Sequence, residues 1–82
     1  MDQIEEKISR ILKYMGIHDE EVRPDASFVK DFEFNDFQFN GLIYYIWNYF
    51  GIAIKENDYP KLNTIGNTID FIRRKEYLTV TH

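Results

Sequence analysis

The chain of 82 residues contains no cysteine. That excludes a disulfide framework and removes the thiolate as nucleophile or metal ligand. Hydroxyl side chains are scarce in its first part: Ser9 and Ser27 are the serines, and no threonine precedes Thr64. No apolar run is long enough to cross a bilayer. The start MDQIEEKISR lacks the basic and apolar segments of a secretory signal, so the expected location is cytoplasmic, with no membrane insertion. Positive charge is in deficit, with Lys+Arg 10 against Asp+Glu 14 and a net charge of −4. Without a basic stripe to displace phosphate counterions, no nucleic-acid partner is expected.

What is present suits a small folded unit. Apolar residues make up 44% and charged residues 29% of the chain, a balance typical of globular rather than disordered sequences. We expect a single domain over residues 1–76 and a flexible tail over residues 77–82, the β-prone EYLTVTH end having no partner strand. Aromatics reach 17%, and where they fall shapes the rest of the reading.

Residues 2–15 predict an amphipathic helix. Asp2 is a candidate cap and Glu5 stands three positions on, the capping-box spacing. Ile4, Ile8, Ile11, Leu12 and Met15 recur at three and four, Glu6 and Arg10 are spaced to pair, and Gly16 is a stop signal. Residues 17–35 predict a long connection anchored by Ile17, Val22, Phe28, Val29 and Phe32, with at most one helical turn near residues 27–31. A second helix is expected over residues 36–50, with Asn35 as cap, Gln38 completing a second box and Gly51 at its end. Ile52, Ile54, Tyr59 and Leu62 punctuate the next connection. A last helix from about Thr64 to Lys75 follows, capped by Asn63 or Thr64. Ile65, Ile69 and Ile72 line one face with Thr68 and Phe71 beside it, and Arg73, Arg74 and Lys75 complement its negative end.

The second helix has two apolar faces. At 100° per residue, Phe39, Leu42, Ile43, Ile46 and Phe50 form a core side with Tyr49 at its edge. Phe37, Tyr44 and Trp47 fall opposite, among Asn40, Gly41 and Asn48. A helix apolar all round is normally buried all round, and a chain this short cannot surround one. Either loops fold over the second face or it is a contact surface for another protein. Gly41 fits a close approach by another element or, alternatively, relief of crowding between bulky neighbours.

The stretch GIHDEEVRPDASFVKDFEFNDFQF, followed by Leu42-Ile43, Phe50, Ile54, Thr64-Ile65 and IDFI at 69–72, resembles the acyl carrier proteins without a gap from about Ile4 to Ile72. The resemblance implies an all-α, acyl-carrier-like four-helix bundle with a short third helix near residues 56–61 and a long loop between helices 1 and 2. It implies no catalysis by the domain itself. In that family an Asp-Ser-Leu motif heads helix 2, and its serine carries 4′-phosphopantetheine, whose thiol bears acyl groups. The matching residues here are Asn35, Asp36 and Phe37, so the attachment position is an aspartate. A carboxylate there would yield an acyl phosphate, which water cleaves. No loaded cofactor is therefore expected.

The family's helix 2 also carries acidic residues that meet basic patches on its enzymes. Here those positions are Gln38, Gly41, Trp47, Asn48 and Tyr49, so apolar contact replaces electrostatic steering. The expected function is a non-catalytic acyl-carrier-like domain acting through Phe37, Asn40, Gly41, Tyr44, Trp47 and Asn48. Its partner would be a protein such as a synthase or transferase of an acyl pathway. Two alternatives stand beside it. One is a genuine acyl or peptidyl carrier of a specialised fatty-acid, lipid or polyketide-like pathway with its attachment serine altered. The other is a self-associating module, a homodimer through the same face. Asp36 has no acid or base within a helical turn to make it catalytic. His18 with Asp19, Glu20 and Glu21 reads as a solvated loop rather than a metal site. Phe28, Phe32, Phe34 and Phe39 are expected to fill the core rather than line an acyl-sized cavity.

Overall fold

A computed structural model describes the backbone of residues 2–80 and the side chains of residues 2–76. Its elements are α1 (Gln3–Tyr14), a 3₁₀ turn η1 (Asp19–Glu21), α2 (Asp36–Phe50), a 3₁₀ helix η2 (Glu56–Leu62) and α3 (Ile65–Val80). The short third helix implied by the resemblance is thus η2, and the fold is an all-helical acyl-carrier-like bundle. α1 packs against both α2 and α3, and η2 lies on α3.

Each α-helix starts where a side chain satisfies one of its free N–H groups. Glu5 N–H donates to Asp2 Oδ1 at 2.9 Å, and Asp2 N–H donates back to Glu5 Oε1 at 3.3 Å. The same reciprocal box joins Asn35 and Gln38 at the head of α2, both bonds at 2.9 Å. Of the two candidate caps for α3, Thr64 is the one used: Asn67 N–H donates to its Oγ1 at 3.1 Å. α2 ends at Gly51, whose φ of 69° lies in the left-handed region that glycine adopts without steric cost.

The core is built from α1, α2, η2 and α3 together with the long connection. Ile8, Ile11 and Leu12 of α1, Leu42 and Ile46 of α2, Leu62 of η2 and Ile65 and Ile72 of α3 are essentially inaccessible. Thr68 is the buried polar side chain of this core, and its hydroxyl donates to the Thr64 carbonyl at 2.9 Å. Phe28 and Phe34 stack with centroids 5.4 Å apart, and Phe39 meets the edge of Tyr59 at 5.3 Å. The expected aromatic filling of this region is therefore what the rings do.

The long connection is stitched down. Phe28 N–H donates to Asn63 O at 3.1 Å, Ile65 N–H to Ala26 O at 3.1 Å, and Gly66 N–H to Pro24 O at 2.9 Å. These bonds flank an antiparallel bridge between Ser27 and Thr64. A single turn follows, with Asp31 N–H on Ser27 O at 2.9 Å and Lys30 N–H on Ser27 Oγ at 3.1 Å. That turn aims Phe28 and Phe32 inward and Val29 outward, so Val29, expected as an anchor, is 65% exposed. Ala26 and Phe34 are buried in its stead.

Two further expectations are corrected. α3 does not stop at Lys75 but continues to Val80. The proposed tail is therefore helical in its first part, while Thr81 and His82 lie outside the described residues. Arg73, Arg74 and Lys75 consequently sit within α3 rather than at its end. Arg73 reaches across to Asp2 at the head of α1 and along its own helix to Asp70 at 3.6 Å. Among the described residues Glu6 and Arg10 form no salt bridge; α1 is bridged instead by Lys13 to Asp19 at 3.5 Å and by that Asp2–Arg73 contact. No helix among the described residues is long and apolar enough to cross a membrane.

Candidate functional site: the head and outer face of α2

Asp36 is the first residue of α2 and is exposed. There its charge meets the positive end of the helix dipole. It is the only charged residue of the helix DFQFNGLIYYIWNYF. The hydroxyls of the neighbouring segments are engaged elsewhere: Ser27 Oγ accepts from Lys30 N–H, and Thr64 Oγ1 caps α3. Ser9 belongs to α1.

The second face of α2 stands open. Phe37 is 85%, Tyr44 59% and Trp47 55% exposed, and Asn40 and Asn48 are exposed beside them. Among the described residues no loop folds over it, so the reading in which loops cover this face does not hold. Tyr44 and Trp47 meet edge to face at 6.2 Å. The Asn48 side chain donates to the Tyr44 carbonyl at 3.0 Å.

Gly41 is half-buried, but among the described residues nothing needs it to be glycine. A Cβ there would meet only Met15 Cε, at an ordinary 3.6 Å. Among the described residues only the Met15 methyl comes within contact of that position, so the tight approach that the sequence suggested is not seen there.

Two grooves flank Tyr44. One, of about 390 Å³, runs between α2 and the end of α1 and is walled by Met15, Phe37, Gly41 and Tyr45. The other, of about 310 Å³, lies toward η2 and is walled by Ile43, Trp47, Ile54 and Tyr59. Sequence reasoning placed Phe37, Asn40, Gly41, Tyr44, Trp47 and Asn48 on one face, and the structure brings them together. It missed Tyr14, Met15 and Tyr45, which widen the aromatic surface on the α1 side. Tyr14 lies 6.2 Å from Tyr45 and 6.4 Å from Tyr49, and hydrogen bonding to Tyr14, aided by burial, raises the Tyr49 phenol above its ordinary range. No local spacing announces this contact, because it depends on how α1 docks on α2.

In the η1 region, His18 N–H donates to Glu21 Oε1 at 3.0 Å. That acidic turn is a local cap.

The chain is similar over nearly its whole length to proteins of known kind. An acyl carrier protein of Nitratidesulfovibrio vulgaris (strain DSM 19637 / Miyazaki F) is 36% identical over 74 residues, 89% of this chain and 97% of the relative. The acyl carrier protein of the DP4 strain is 32% identical over the same length and coverage. That of Buchnera aphidicola subsp. Schizaphis graminum is 36% identical over 76 residues, 92% of this chain and 96% of the relative. No family model matches the chain.

Proposed function

The chain belongs to the acyl carrier protein family, and from that premise we propose that it is a carrier-fold domain that works without a prosthetic group, through protein contact on the outer face of α2. The observation that carries this reading is Asp36, a carboxylate at the head of α2 where the family resemblance puts the serine that holds 4′-phosphopantetheine. The residues present do not fit that group. Attachment needs a hydroxyl nucleophile at this point. The nearest serine by sequence, Ser27, lies in the preceding loop with its oxygen accepting from Lys30 N–H.

The scaffold around the position is intact. The Asn35–Gln38 box still fixes the start of α2, so the loss is chemical rather than structural. The uncharged outer face supports a contact made by burying rings rather than by steering between opposite charges.

Incubation with coenzyme A and a broad-specificity phosphopantetheinyl transferase, followed by intact-mass measurement, tests the reading. The expected result is no adduct. A stoichiometric adduct at Asp36 or Ser27 overturns it. The intact box also favours running the same assay on Asp36→Ser. Conversion of that variant to the loaded form would show that the surface still suits a transferase, and would favour descent from a working carrier of an acyl pathway.

A further inference from the structure

The α2 face has a shape as well as a composition. Tyr44 stands on a ridge with a groove on either side. A surface carrying both a ridge and the grooves beside it is complementary to itself across a two-fold axis, and ridge-into-groove contact is how helices pack. We infer that this face takes a second copy of the chain: α2 packs on α2 of the partner copy, each Tyr44 ridge entering a groove of the other. The inference rests on the reading of this face as a protein contact and names its occupant.

Charge selects that occupant. The chain is acidic, with a net charge of −4, so most pairings of two copies bring carboxylates together. The α1 head carries Glu5 and Glu6, and η1 is Asp19–Glu21. The outer face of α2 is different, because Asp36 lies at its first position and everything beyond it is neutral. Two copies meet there without like charges opposed. A strongly charged partner, by contrast, would find no complement on this face.

Area is compatible with a reversible pair. Three aromatic side chains exposed by 85%, 59% and 55% offer on the order of 400 Å² of ring surface. That is about half of the roughly 800 Å² per partner in a standard interface, and the groove walls add to it. The glycine fits as well. Position 41 lines the α1-side groove, and its missing side chain leaves only the flexible Met15 methyl in contact there, at 3.6 Å.

Sedimentation velocity of the full chain over a micromolar-to-millimolar series, at low and high salt, tests this directly. Trp47 is the single tryptophan, so its emission reports on this face alone. We expect a reversible dimer, a blue shift of Trp47 emission with the same concentration dependence, and association unchanged or strengthened by salt. Tyr44→Glu and Asn48→Glu replace exposed side chains. Each is expected to weaken association by more than about tenfold with helical circular dichroism unchanged. A wild-type chain that stays monomeric throughout overturns the inference. So does a dimer that neither shifts Trp47 nor responds to a folded Tyr44→Glu or Asn48→Glu variant. A monomer leaves the prosthetic-group reading standing, since that reading fails only on the coenzyme A adduct.

Discussion

Gly66 and Pro24 meet backbone to backbone: the Gly66 N–H donates to the Pro24 carbonyl at 2.9 Å, and a Cβ on Gly66 would lie 2.8 Å from that same oxygen and 3.1 Å from Pro24 Cβ. This contact fastens the long connection to the first turn of α3. Neither side can yield cheaply, since the obstructing atoms are backbone and a proline ring. Gly66→Ala is therefore expected to destabilise the fold by about 1–2 kcal/mol despite alanine's better helix propensity. Urea unfolding should show a lower midpoint with an unchanged slope.

Gly41→Ala should act in the opposite direction. Its Cβ meets Met15 Cε at 3.6 Å, which is ordinary contact, so the gain of roughly 0.5–1 kcal/mol for replacing a mid-helix glycine is unopposed. For a chain of this size that raises Tm by about 2–8 °C. The same methyl shallows the groove between Phe37 and Tyr45, so the stabilised variant should self-associate more weakly. Thermal unfolding and sedimentation on one preparation check both halves.

The contrast between these glycines shows what a sequence carries and what it does not. The capping boxes at Asp2–Glu5 and Asn35–Gln38 are local, three residues apart, and both were legible. So was the division of α2 into a core side and an open side, because a helix fixes which residues share a face. Gly66 was not legible, because its partner is Pro24, distant in sequence. Val29 is misplaced, and Ala26 passed over, for the same reason, whereas Phe34 is buried as expected. The bridge of residues 24–28 to 63–66 decides which loop side chains turn inward. The sequence pattern places the end of α3 too early because Tyr77, Leu78, Thr79 and Val80 suit a strand, yet the backbone continues as helix. At the candidate site, Asp36 and the outer aromatics came from sequence. Tyr14, Met15 and Tyr45 needed the docking of α1.

The Asp2–Arg73 contact predicts an acid-side dependence of stability. The Asp2 carboxylate is held below its ordinary range chiefly by the Glu5 N–H, with Arg73 adding to the effect. A depressed pKa in the folded state means the contribution is complete above the unfolded value of 3.8 and is lost as pH falls through the lower folded value. Asn caps helices about as well as Asp, so Asp2→Asn keeps the cap and removes the charge. The variant should be slightly less stable than wild type at neutral pH. The difference should close as pH falls below the folded pKa of Asp2, and added salt should reduce it because the pair is half exposed. Chemical unfolding across an acid pH series, read by helical circular dichroism, checks the convergence.

Glu33 offers the last test. It is the non-glycine residue with positive φ, at 55°, where an L side chain costs about 1–2 kcal/mol. The conformation is imposed from both sides. Phe32 N–H bonds to Ser27 O and Phe34 N–H to Phe28 O, and Asn35 immediately after must cap α2. Glycine relieves the strain but adds freedom to the unfolded chain, so Glu33→Gly should stabilise by a net of roughly 0.5–1 kcal/mol. A β-branched residue tolerates this region worst, so Glu33→Val should destabilise by about 1 kcal/mol. Because the side chain is exposed, neither change removes a packed group, and backbone conformation alone predicts the order glycine, glutamate, valine. Urea midpoints for the three chains measure that order. Equal midpoints for the glycine and valine variants would mean that residue 33 is free to leave the left-handed region without disturbing the entry to α2.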